Sequence, residues 1–212
     1  MTSLTVLRWT GCETCRTHRA WVCTVEMAQL QMLETYRPNS FSQRIQAHDL
    51  TGQSVADYMQ LKLVEPLGLI DPGYWIVDPA GVEMAYGGLN LTARDYAAFG
   101  ELYRNGGAWN GAQIVPGAWV EASITPDAPH LQPGPRPSAA LPMGYGYQWW
   151  VPDESGAYSA VGIYNQFVWV DPPTRTVIAK TSAFRGYAAA PVPEAYRSGD
   201  HLALFAAIAR RA

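Results

Sequence analysis

Two stretches of this chain carry groups able to bind a metal or stabilise a developing charge. The first is Cys12-x2-Cys15-x2-His18-x4-Cys23, which gathers all three cysteines of the sequence around a histidine. Thiolate and imidazole are the ligands zinc takes in a tetrahedral site. The spacing comes near a zinc knuckle but falls two residues short between Cys15 and His18, and no glycine inside the loop allows a tight turn. The expectation is therefore a segment with free thiols and no metal or cofactor, with metal binding as a minor alternative. The second stretch is Gly162-Ile163-Tyr164, in the middle of a run from Tyr158 to Val170 that is rich in β-branched and aromatic residues. A glycine inside such a run marks a bulge or a close approach to the backbone. An edge strand with a free N–H can aim that donor at a developing oxyanion. An ordinary core hairpin with a glycine bulge fits the same residues.

The elements that must position this stretch can be read on either side of it. Asp171-Pro172-Pro173-Thr174 cannot continue a strand, because two prolines remove donors and fix φ. Thr176 to Ala183 then reads as a second strand, making an antiparallel hairpin central to a sheet. Tyr147–Val151 reads as a third strand and Asp200–Arg211 as a helix with Leu202, Phe205 and Ile208 on one face. Upstream, Ser54 is placed to cap a helix over Val55 to Val64 that Pro66 stops. Thr92 caps a second helix with Asp95 at its third position, and Asn105-Gly106-Gly107 ends it after Arg104. Trp109-Asn110-Gly111 is a turn, and Pro116 opens a helix to Ser123. The proline-rich Thr125 to Met143 is a long loop of the kind that serves as a lid.

The composition is that of a globular chain, with 48% hydrophobic and 16% charged residues in 212. A net charge of −3 makes no electrostatic case for nucleic acid or an anionic membrane. No apolar run is long enough to span a bilayer, and Arg8, Glu13, Arg16 and Arg19 interrupt any signal-peptide core. A cytoplasmic location is the expectation.

Several segments together resemble the β-lactamase-related serine hydrolases, in the branch of class C β-lactamases, DD-peptidases, esterases and 6-aminohexanoate-dimer hydrolase. They are Thr51 to Met59 followed by Glu65-Pro66-Leu67-Gly68, Gly87-Gly88-Leu89 with Thr92 and Asp95, Gly144-Tyr145-Gly146-Tyr147-Gln148-Trp149-Trp150, Gly162-Ile163-Tyr164, and Val170-Asp171-Pro172 with Lys180-Thr181-Ser182. The resemblance implies an α+β fold: an antiparallel sheet with flanking helices, a partial serine β-lactamase-like (DD-peptidase) fold. The C-terminal helix would cover one face, and the helical part from Gln53 to Ser123 the other side of a cleft. It implies residues 36–212 as the hydrolase domain, with 1–35 unassigned.

The resemblance also implies roles. One N–H of the Gly162-Ile163-Tyr164 strand, that of Ile163, would help form the oxyanion hole, with Gly162 and Tyr164 beside the substrate. Tyr74 and Trp149 would wall the substrate pocket. Tyr36 stands about where the family has the proton-transfer tyrosine of a Tyr-x-Asn motif, though here the spacing is Tyr-x-x-Asn. The family's nucleophile lies in Ser-x-x-Lys, and this sequence departs from it: its two lysines, Lys62 and Lys180, follow Met59 and Val177 at that spacing. Gly-x-Ser-x-Gly is absent too. The expected function is weak hydrolysis of a small ester or amide, with Ser40 and Ser42 as the serines to test. A degenerate ligand-binding relative is the alternative, and a truncated sheet would favour a homo-oligomer.

Overall fold

The computed structural model describes residues 6–8, 23–24, 52–79, 81, 83, 88–135, 142–188 and 197–211. The chain divides into two compact units, Met1–Asp95 and Tyr96–Ala212.

In the first unit four short strands, β1 (Val6–Arg8), β2 (Cys23–Thr24), β3 (Tyr74–Ile76) and β4 (Leu89–Leu91), form an antiparallel sheet in the order β1-β3-β4-β2. The two N-terminal strands were not expected, because two or three residues carry no readable periodicity. Ser54 caps helix α1 (Val55–Met59) as expected, its Oγ accepting from the Asp57 N–H at 3.0 Å. The expectation that Pro66 ends this helix is corrected. A π-helical turn over Gln60–Val64 leads into α2 (Glu65–Leu67), which contains Pro66, and the helix stops at Gly68 with φ 68°. A proline in a regular helix removes a donor and crowds the carbonyl one turn back. The wide turn just before it breaks that regular ladder.

Helix α3 (Ala93–Arg104) spans the boundary between the units. Its start is the expected capping box: Thr92 Oγ1 accepts from the Asp95 N–H at 3.2 Å and donates to Asp95 Oδ2 at 2.9 Å. Its end is the expected glycine pair, with the Gly107 N–H donating to Leu102 O at 2.8 Å. Next come the hairpin of β5 (Ala108–Trp109) and β6 (Ala112–Gln113) and helix α4 (Gly117–Ile124).

The second unit is built on a five-stranded antiparallel sheet in the order β11-β10-β9-β8-β7. Its strands are β7 (Gly144–Tyr145), β8 (Trp150–Val151), β9 (Tyr158–Gly162), β10 (Gln166–Asp171) and β11 (Thr176–Lys180). Two expectations change here. The run Tyr158 to Val170 is two strands with a reversal over Ile163–Asn165, so Gly162 ends a strand and is not a bulge within one. Tyr147–Val151 is likewise not one strand. The chain turns through Gln148, with φ 71°, and only Trp150–Val151 continues. The β10–β11 hairpin is antiparallel as expected, while β11 forms the edge of the sheet among the described residues.

Strand alternation sorts the core into two layers. On one face Phe167 and Trp169 pack with Val161, Ala157 and Met143 against Leu202 and Phe205 of helix α5 (Ser198–Ala209). On the other face Val168 and Val170 meet α3 at Gly100. A Cβ there would lie 2.7 Å from Val177 Cγ1 and 2.9 Å from Val168 Cγ1, so the glycine sets how closely helix and sheet approach. Trp149 is enclosed by Tyr103, Phe99 and Tyr158 on this side. Each fully buried apolar side chain of this size contributes about 1.5–3 kcal/mol.

Candidate active site

The candidate site is the reversal between β9 and β10. Gly162 pairs with Gln166, and Ile163, Tyr164 and Asn165 make the turn. Strand β8 pairs with β9 only at Trp150↔Ser159. Beyond Ser159 the end of β9 is therefore open along its β8 side among the described residues. An inner strand thus becomes a local edge just where it enters the turn. Ile163 is half-buried, and its N–H makes no hydrogen bond among the described residues. A backbone donor left unclaimed in a half-buried position can meet an incoming anionic oxygen without first breaking another bond.

The turn is held in an uncommon conformation. Tyr164 and Asn165 both have positive φ, 60° and 63°, a region disfavoured for residues with a Cβ. Asn165 and Gln166 are buried, while Tyr164 is exposed and its ring lies 5.5 Å from that of Tyr187. The Lys180 ammonium donates to Asn165 O at 2.7 Å and sits 5.9 Å from the Phe167 ring centroid. Neither amide atom of the Gln166 side chain finds a partner among the described residues, although the residue is fully buried.

The structure thus brings Gly162, Ile163 and Tyr164 together in one turn. Trp149 is 2% exposed and belongs to the aromatic layer between sheet and helix. Tyr74 is a half-buried β3 residue of the first unit, paired with Asn90. Tyr36, Ser40, Ser42, Cys12, Cys15 and His18 lie outside the described residues, as does the side chain of Cys23. No metal-ligating group of three side chains occurs among the described residues. Asn165 has no role legible in the sequence, and Lys180 enters there only as part of the family-like segment Lys180-Thr181-Ser182. The one local signal was Asn165 itself, a residue that tolerates left-handed backbone and favours turns.

Comparison with known proteins agrees with this architecture. The Beta-lactamase family model matches residues 45–201, which include the turn and both flanking strands. The 6-aminohexanoate-dimer hydrolase of Paenarthrobacter ureafaciens is 36% identical over 110 residues, 51% of this chain and 28% of that protein. A solved structure from Bacillus anthracis, assigned as a 6-aminohexanoate-dimer hydrolase, superposes with a TM-score of 0.66 at 31% identity, covering 78% of this chain and 40% of that one. The chain thus spans well under half the length of either relative. With the family model covering residues 45–201, most of its length, the chain belongs to the β-lactamase family.

Proposed function

We propose that the Gly162–Gln166 turn is the strand half of an acyl-transfer site, with the Ile163 N–H as an oxyanion donor, and that the chain hydrolyses small esters or amides weakly. The observation that carries this reading is the unclaimed, half-buried Ile163 N–H at the open end of β9. The names of the two relatives, both 6-aminohexanoate-dimer hydrolases, support an amide or ester of a small molecule as the substrate class. In this reading residues 36–212 are the hydrolase domain, Gly162 and Tyr164 flank the reacting carbonyl, and residues 1–35 carry no assignment. The protein works in the cytoplasm. Among the described residues no helix is long and apolar enough to cross a membrane. The β11 edge, with no strand beside it among the described residues, supports self-association.

A weak rate is expected of these 212 residues because Ser-x-x-Lys does not occur among them. Without an activated serine, an oxyanion donor plus binding can still supply about 10³-fold over water. The test is hydrolysis of p-nitrophenyl acetate. The expected result is a slow steady rate with no initial burst. Ile163→Pro deletes the donor and should abolish that rate, while Ile163→Val keeps the N–H and should retain it. A full burst, or labelling of a single serine by a fluorophosphonate, would show a working nucleophile and overturn the weak-site reading. A rate no higher than buffer would leave the second reading, a ligand-binding relative without covalent catalysis.

A further inference from the structure

We propose that Lys180 is a positioning residue for the Ile163–Asn165 turn, clamping it in its left-handed conformation from the edge strand β11. The inference rests on the reading of Ile163 as an oxyanion donor for its catalytic consequence, and on geometry alone for its structural part. Asn165 tolerates positive φ, but the tyrosine beside it does not hold that shape by local preference. Something outside the turn must hold it. Lys180 stands opposite Phe167 in the β10–β11 register, and its ammonium reaches back 15 residues in sequence to Asn165 O at 2.7 Å. The acceptor belongs to a residue only 4% exposed, and the lysine itself is half-buried.

The contact has the features of a fixed clamp. A charged donor to a carbonyl makes a hydrogen bond stronger than a neutral one. The Phe167 ring 5.9 Å away offers its π face to the same cation. Holding the Asn165 carbonyl fixes the peptide plane between Asn165 and Gln166. Because the turn closes at Gly162↔Gln166, that plane and the Ile163 peptide are coupled across only a few bonds. Misaiming a donor by a small angle is enough to lose its effect on a transition state.

The test compares Lys180→Met, which keeps the length and loses the donor, with Lys180→Arg, which keeps a cationic donor. Backbone NMR order parameters are the first readout. In the parent, Tyr164 and Asn165 should read about 0.85, the rigid value, and in Lys180→Met below about 0.6, with Val168 and Val170 unchanged. Lys180→Arg should restore the parent values. The second readout is p-nitrophenyl acetate hydrolysis: kcat should fall about tenfold in Lys180→Met with KM unchanged, and stay within about threefold in Lys180→Arg. Unchanged order at the turn in Lys180→Met would overturn the proposal. So would equal loss of order at Tyr164 and Val168, which is the signature of general destabilisation. If the parent shows no hydrolysis, the oxyanion reading fails while the NMR readout still decides the clamp. If Lys180→Met does not fold, Lys180→Leu, which also lacks a donor, replaces it and the same readings decide.

Discussion

Two hairpins of the Tyr96–Ala212 unit reverse through a pair of consecutive positive-φ residues, with opposite local chemistry. Between β5 and β6 the pair is Asn110 and Gly111, at 48° and 82°. Between β9 and β10 it is Tyr164 and Asn165, at 60° and 63°. Asn-Gly is the pair that a primed hairpin turn prefers, so the first turn forms from its own residues. Its neighbours Ala112 and Gln113 are exposed. A bulky tyrosine at the same backbone angle is disfavoured, so the second turn depends on its surroundings: the buried strands on both sides and the Lys180 contact. Strain of this kind persists only where the surrounding structure over-determines it, and it concentrates at functional sites. The first turn is a connection, and the second is the candidate site.

The largest difference should lie beneath the turns. Phe167→Ala removes a ring packed against His201 and Phe205 and should cost about 3–5 kcal/mol in urea unfolding. Ala112→Ser on the exposed hairpin should stay within about 0.5 kcal/mol. Similar losses at both would mean that the two hairpins do not differ in support.

A smaller effect of opposite sign is expected at Gln166. Its amide is fully buried with neither atom partnered among the described residues, and an unsatisfied buried polar group costs about 1–3 kcal/mol. Gln166→Met, similar in length and without that amide, should be as stable as the parent or more stable, by up to this amount. A clear loss of stability would show that the amide is satisfied and would remove one of the site's departures from ordinary packing.

The turns themselves come next. Tyr164→Gly and Tyr164→Ala both delete the ring that meets Tyr187, so their difference isolates the backbone. The glycine variant should be the more stable by about 1 kcal/mol, because only glycine takes positive φ freely. Gly111→Ala should cost a similar amount for the same reason. Equal stability of the two Tyr164 variants would rule out strain at that residue.

The smallest effect is a slope at the cap of α3, where local preference and burial oppose each other. Asp95 completes the capping box but is 3% exposed. Burial pushes its carboxyl above the usual 3.8, more than the Thr92 hydroxyl hydrogen bond lowers it, and the Asp71 charge adds to the rise. The folded state therefore binds this proton to higher pH than the unfolded chain does. Its contribution to stability falls as pH rises from 3.8 through the raised folded value and is fully lost above it. Asp95→Asn should flatten that part of the stability–pH curve, read by thermal melts across the acid range. An unchanged slope would place the dependence elsewhere.

Features that a few neighbouring residues decide are legible along the chain. Ser54, the Thr92–Asp95 box, the Asn105-Gly106-Gly107 stop, the Asn110-Gly111 turn and the Asp171–Thr174 break all act within one helical turn or one hairpin loop, and all stand where they were read. The motifs also carried the family, because Gly162-Ile163-Tyr164 and its companions keep their order along the chain. Tertiary structure decided the rest. Tyr158 to Val170 is one unbroken apolar run to any local rule, and it folds back at Tyr164 because strands on both sides and a lysine 15 residues away support the reversal. The chain passes Pro66 because the preceding turn widens. Trp149 is enclosed by rings from α3 and β9, an arrangement that spacing along the chain does not show. Burial of a side chain and the cost of an unusual φ depend on what lies across the sheet, and residue spacing along the chain does not encode that.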